Sequence, residues 1–166
     1  MNLSSYINDL LYRYDCVIVP DFGGFVTNRI NASLQKETNT FYPPTKQITF
    51  NTHLTHNDGL LANYIATCEN ISYDKASTAI SLSVIKWKNE LQKSSITIDN
   101  IGSLSLNDSK QFVFAPNTKS NFLTSSFGLS KVSTSIIKRK EEKVVPIIPL
   151  NRKKEIEFWS TFIIKN

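Results

Sequence analysis

The sequence predicts an α+β fold made of two unequal copies of one unit, each a helical segment followed by a three-stranded antiparallel sheet. Three observations carry that expectation. Apolar residues recur at helical spacing in three stretches: Leu3, Ile7, Leu10, Leu11 and Tyr14; Leu60, Leu61, Tyr64, Ile65 and Cys68; Ala76, Ile80, Val84, Trp87 and Leu91. Short segments with strand character follow the first and the third. Two patterns also occur twice. Phe22-Gly23-Gly24-Phe25 corresponds to Ile101-Gly102-Ser103-Leu104, and Lys46-Gln47-Ile48-Thr49-Phe50 to Lys110-Gln111-Phe112-Val113-Phe114. Phe25 and Phe50 are 25 positions apart, whereas Leu104 and Phe114 are 10 apart, so the first copy carries an inserted arm.

In chain order, the first apolar series, with Ser4 or Ser5 near its start, predicts a helix over about 3–14. Val17, Ile18 and Val19 make a short strand. Gly23-Gly24 supplies a turn or bulge, and Phe25-Val26-Thr27 resumes the strand. Residues 30–40 are polar and aperiodic, as in an exposed loop or arm, with Phe41 and Tyr42 expected to pack near its base. Pro43-Pro44 favours extended backbone and blocks regular pairing. Gln47 to Phe50 alternates as a strand does. Asp58 is placed to cap the next helix and Ser72 the one after, with Asp74 at its positive end and Lys86, Lys88 and Lys93 towards its negative end. Ser95–Asp99, Ser103–Leu106 and Gln111–Phe114 read as three strands, with a turn at Asn107-Asp108-Ser109. Residues 115–130 have room for a short final helix.

The net charge of +5 is unevenly placed. Residues 1–130 hold ten Lys/Arg and ten Asp/Glu, whereas residues 131–166 hold nine and four. A neutral globular body followed by a basic tail is the pattern this implies. The two cysteines, Cys16 and Cys68, have no framework spacing, which fits a reducing compartment or two buried thiols and gives no support to a disulfide. The N-terminus lacks a secretory leader, and no run of about 18 apolar residues is present to span a membrane. Asp21-Phe22-Gly23 matches the metal-binding triplet of protein kinases. That reading also needs a Gly-rich loop, a strand lysine and a His-Arg-Asp loop, none of which occurs. The recurrence of the glycine as Gly102 makes Gly23, Gly24 and Gly102 structural turn residues. His53 and His56, with Asp58 nearby, read as ordinary polar positions because no second ligand pair supports a metal. No metal, cofactor or catalytic constellation is expected, and the chain does not read as an enzyme.

The plan of helix, strand, glycine turn, strand, arm and returning strand, seen twice, resembles the HU/IHF family of bacterial DNA-bending proteins. Asp21-Phe22-Gly23-Gly24-Phe25 is similar to that family's Gly-Phe-Gly-x-Phe, Tyr42 to Phe50 to its returning arm strand, and Phe114-Ala115-Pro116 to its closing Phe-x-Pro. More closely, CVIVPDFGGFV, FYPPTKQITFN, HNDGLLANYIA and NFLTSSFGLS resemble the tandem HU-like module of Bacteroidetes, named for a coiled-coil-domain centrosomal protein. In that group the pair commonly precedes a membrane span and a peptidoglycan-binding SPOR domain. The resemblance implies an HU-like domain 1 over 1–58 with an arm at about 28–46, an arm-less domain 2 over 59–130, and a juxtamembrane linker over 131–166. It implies that the copies pair as a pseudo-dimer within one chain. Unlike the family, the first copy has one N-terminal helix rather than two, and its arm has no proline at the tip.

Double-stranded DNA is the partner the resemblance implies, and it makes Arg29, Lys36 and Lys46 the candidate arm contacts, with Lys86, Lys88 and Lys93 as a candidate helical patch. Lys138, Arg139 and Lys140 are candidates in the tail, where Arg152-Lys153-Lys154 makes a second cluster. The leading expectation is a non-enzymatic HU-like binding module that binds DNA and links the nucleoid to the cell envelope; the neutral body keeps open the alternative of a protein–protein scaffold that kept the fold and lost DNA. Basic clusters ahead of Phe158-Trp159 look like the cytoplasmic flank of a membrane, placing the protein at the inner face of the inner membrane.

Overall fold

The computed structural model describes residues 2–134, which lie within one compact unit. The tail clusters at Lys138-Arg139-Lys140 and Arg152-Lys153-Lys154 lie outside the described residues.

Helix α1 (Leu3–Arg13) starts at Asn2, whose side chain accepts from the Ser4 N–H, and buries Leu3, Ile7, Leu10 and Leu11. Strands β1 (Cys16–Val19), β2 (Gly23–Ile30) and β5 (Thr45–Asn51) form the first sheet, in the order β1-β2-β5 and antiparallel throughout. Helices α2 (Leu60–Glu69) and α3 (Tyr73–Leu91) follow. Strands β6 (Ile96–Ile98), β7 (Gly102–Leu106) and β8 (Phe112–Pro116) form the second sheet, in the order β6-β7-β8. The first copy thus has one helix and the second has two. Ser72 caps α3 by accepting from the Lys75 N–H. At α2 the cap residue is Gly59, with φ 80°, and Asp58 reaches past it to the Leu60 N–H at 3.0 Å. Cys68, expected on the buried face of α2, is exposed.

The turns leading into β2 and β7 have the same backbone. The Phe22 N–H donates to the Val19 carbonyl at 3.1 Å, and the Ile101 N–H to the Ile98 carbonyl at 3.0 Å. Asp21 and Asn100 take φ of 59° and 62°, and Gly23 and Gly102 take 152° and 154°. A Cβ on Gly23 would run into the ring of Phe50, and one on Gly102 into the Ala115 carbonyl and the ring of Phe114. Each glycine therefore clears space for the phenylalanine that its own repeat brings back on the third strand.

One core spans both repeats. Leu3, Ile7, Leu10, Leu11, Val17, Val19, Phe22 and Phe25 join Leu61, Ile65, Ile80, Val84, Ile98, Ile101 and Leu104 in a single buried cluster. Phe22 packs on Trp87 at 5.3 Å and on Phe112 at 5.8 Å, and Phe50 on Phe112 at 5.8 Å and Phe114 at 6.3 Å. Strands β5 and β8 come close without joining into one sheet.

The arm differs from its expectation as an aperiodic loop. Strand β2 continues to Ile30, and residues 33–42 form a second hairpin of β3 (Ser33–Gln35) and β4 (Thr40–Tyr42). The ladder breaks once, between the Ile30–Thr45 and Ser33–Tyr42 pairs, where Pro43 and Pro44 stand across from Asn31 and Ala32. Neither proline has an N–H to donate, so the break follows from the sequence. Strand β9 (Val132–Ser133) pairs with β4 and makes the arm three-stranded, in the order β3-β4-β9. The second copy closes the equivalent gap with a turn at Asn107–Gln111, in which Lys110 takes φ 58°. Instead of a regular final helix, residues 117–131 supply only a single turn, Thr124–Ser126.

Candidate interaction surface

Opposed residues of an antiparallel pair share a face. In the first sheet the pairs Val17–Phe25, Phe25–Phe50 and Thr27–Ile48 face the core. The pairs Val26–Thr49, Asn28–Gln47 and Ile30–Thr45 therefore face outward. In the second sheet Leu104–Phe114 and Leu106–Phe112 face inward, and Ser103–Ala115 and Ser105–Val113 outward. Hydroxyls, amides and aliphatic side chains, with Ile30 and Val113 about half exposed, make up both outer faces. No Lys or Arg of β1, β2, β5, β6, β7 or β8 lies on them.

The candidate arm cations take three different positions. Arg29 is exposed on β2, and Lys36 is exposed in the arm turn next to Glu37. Lys46 is turned inward, its side chain only 10% exposed. Its ammonium lies 2.9 Å from Asp15 and donates to the backbone carbonyls of Leu11 and Tyr14 at 3.2 and 3.4 Å. These carbonyls end α1, so Lys46 acts as a cap on the negative end of that helix. The ion pair, with a hydrogen bond from Thr27, holds the Asp15 carboxyl below its ordinary 3.8. A phosphate contact from Lys46 would first have to break this set.

Lys86, Lys88 and Lys93 do not form one patch. Lys86 and Lys93 line a shallow surface groove with Leu82, Ile85, Asn89 and Glu90, and Lys86 stands 3.8 Å from Glu90. Lys88 lines a different groove with Asp21, Thr55 and Ser81. His53 and His56 are exposed, and the described residues contain no cluster of three potential metal ligands. None of the described helices is long and apolar enough to cross a membrane.

The sequence reading missed an apolar row across the arm. Leu34 pairs with Phe41 and Phe41 with Val132, so the three share one face of the small sheet. They are 46%, 50% and 54% exposed, and Tyr42 is 41% exposed on the opposite face. Phe41 and Tyr42 are therefore not packed at the arm's base. The alternation of Leu34 and Phe41 with polar neighbours was a hairpin signal, but it is only three residues long on each side.

Also missed was the way residues 121–134 strap the second repeat to the first. Asn121 donates to the Pro44 carbonyl at 3.1 Å and accepts from the Lys46 N–H at 3.2 Å. Phe122 is buried against Tyr12 at 4.8 Å, and Phe127 meets the same ring edge-on at 5.8 Å. Two sequence-family models match the chain: CCDC81-like prokaryotic HU domain 1 over residues 1–58, and CCDC81-like prokaryotic HU domain 2 over residues 59–127. The chain belongs to the CCDC81-like prokaryotic HU family. Among curated proteins and among solved structures, nothing matches it. The paired matches agree with the two α+β units described above, and HU-like domains of this kind are binding modules rather than enzymes. Among the described residues of this HU-fold module, the single arm and the two neutral outer sheet faces are exposed, and the strap joins the repeats.

Proposed function

We propose that the body of this HU-fold module docks a protein, with its two repeats standing in for the two halves of a dimer. Contact with duplex DNA would then be carried by the C-terminal basic clusters. The observation that supports this reading is the absence of Lys and Arg from the outer faces of both sheets. Phosphate neutralisation supplies essentially all non-specific DNA affinity. Here the body is net neutral over residues 1–130, and Lys46 is already paired with Asp15. The packing of Phe22 and Phe50 against Phe112 supports a dimer-like joining of the repeats. The tail, with its basic clusters ahead of Phe158-Trp159, fits a lipid-facing flank and would hold the module at the inner face of the inner membrane.

A second reading, in which the body itself binds DNA and links nucleoid to envelope, is favoured by the family match. Titrating labelled duplex DNA against salt separates the two. With Arg29→Ala/Lys36→Ala in the full chain, affinity should stay within about twofold. Replacing Lys138, Arg139 and Lys140 by Ala should lower affinity at least tenfold, and the salt slope by roughly 0.9 for each lost phosphate contact. The reverse result, a tenfold loss from the arm variant with the tail variant unchanged, would return DNA binding to the body.

A further inference from the structure

Strand β9 sits on the arm as a lightly held guest. It pairs through Thr40–Ser133 and Phe41–Val132, and the Thr134 N–H donates to the Asn39 carbonyl at 3.0 Å. Val132 is 54% exposed, so backbone bonds rather than buried apolar area hold the strand in place. The chain just before it is only lightly packed: Phe127 touches the edge of Tyr12 yet is 62% exposed, Leu129 is 58% exposed, and Gly128, with φ 81°, has nothing within 4 Å of where a Cβ would stand. The receiving edge, Thr40–Tyr42, carries no charge and no proline within it, the usual protections of an open edge.

We propose that this edge of β4 is a strand-acceptor site, held in cis by Val132–Ser133 and able to take an extended peptide of a partner protein. The inference rests on the reading of the body as a protein-docking module. The present occupant shows the chemistry the site selects. Thr40 is buried, and its hydroxyl donates to the Thr38 carbonyl at 3.1 Å. Its contact with the Ser133 hydroxyl at 3.0 Å must therefore be accepted from Ser133. An incoming strand needs a hydroxyl donor opposite Thr40 and an apolar side chain opposite Phe41, where it completes the row with Leu34. Backbone pairing supplies affinity and the alternate side chains supply selection, as in other strand-addition sites. The tethered strand competes at an effective concentration in the millimolar range, so the site opens to a partner only when β9 leaves.

The test uses the full chain and a fluorescent synthetic copy of residues 129–135 as the probe. Val132→Pro/Ser133→Pro empties the edge, because proline cannot join the ladder. This variant should bind the probe at least tenfold more tightly than the wild type does. A probe with Ala in place of the residue matching Ser133 should bind severalfold more weakly, and adding Phe41→Pro, which removes the N–H that β4 turns toward the incoming strand, should abolish binding. Equal binding by variant and wild type, or no effect of Phe41→Pro, overturns the proposal. In the wild type, the Thr134 amide should exchange with solvent at least a hundredfold faster than amides of α1, and equal protection would also overturn it. A wild-type dimer that the probe dissociates would put a second copy's strand in the site and overturn the partner assignment. The DNA titration is independent of all these readouts, so the docking reading can fail or stand apart from the strand site.

Discussion

Asp21 and Asn100 occupy the same point of the two repeat turns, in the left-handed region that Asp and Asn tolerate better than other residues with side chains. The glycines that follow have a second reason to be glycine, because the returning phenylalanine fills the space where a Cβ would go. Gly102→Ala should therefore cost about 2 kcal/mol or more in urea denaturation, from positive φ and collision together. Gly128→Ala, with positive φ and open space, should cost roughly 1 kcal/mol. Lys46 and Asp15 give a pH prediction. The folded carboxyl of Asp15 lies below its ordinary 3.8, so its stabilisation is complete above that value and is lost as pH falls through the folded value. Asp15→Asn should flatten the acid limb of a stability profile below about pH 5. Gly23 and Gly102 were legible as turn glycines because they match across the two copies, whereas Gly24 corresponds to Ser103 and takes no positive φ. The sequence reading placed Lys46 on a DNA-facing ribbon because a residue's charge is legible, whereas its partner, 31 positions away, is not.

Among the elements, α1, α2, α3 and the six strands of the two main sheets were legible from periodicity, capping residues and the repeat. The arm was harder to read. Two prolines interrupt its ladder, and each segment beyond them is three residues long, too short for alternation to separate strand from loop. Strand β9, of two residues, has no sequence signal, because it exists only through its pairing with β4. The strap should matter more to stability than the arm does. Phe122→Ala should destabilise the chain by about 3–5 kcal/mol, as expected when a buried aromatic is removed. Leu34→Ser, at a half-exposed position, should cost less than about 1 kcal/mol. Thermal or urea unfolding of the two variants checks the order.

For the molecule as a whole, the aromatic contacts across the repeats bear on cooperativity. Phe50 and Phe112 come from different repeats and touch, so a double-mutant cycle to Ala should give a coupling of roughly 0.5–1.5 kcal/mol, and both single variants should unfold in one transition. Two separate transitions would mean that the repeats fold independently despite their shared core. That the repeats would pack on each other was an expectation of the resemblance alone, and which rings meet depends on how the sheets are stacked, which no pattern in one dimension encodes. The presence of an arm on one repeat alone has a further consequence. A body with two equal arms presents the same surface after a half-turn and cannot distinguish the two ends of what it holds. A body with one arm has a polarity. Whatever lies along its sheets meets β3, β4 and β9 on the first repeat and only the short Asn107–Gln111 turn on the second. A partner on the proposed docking surface would thereby be given a direction along the body.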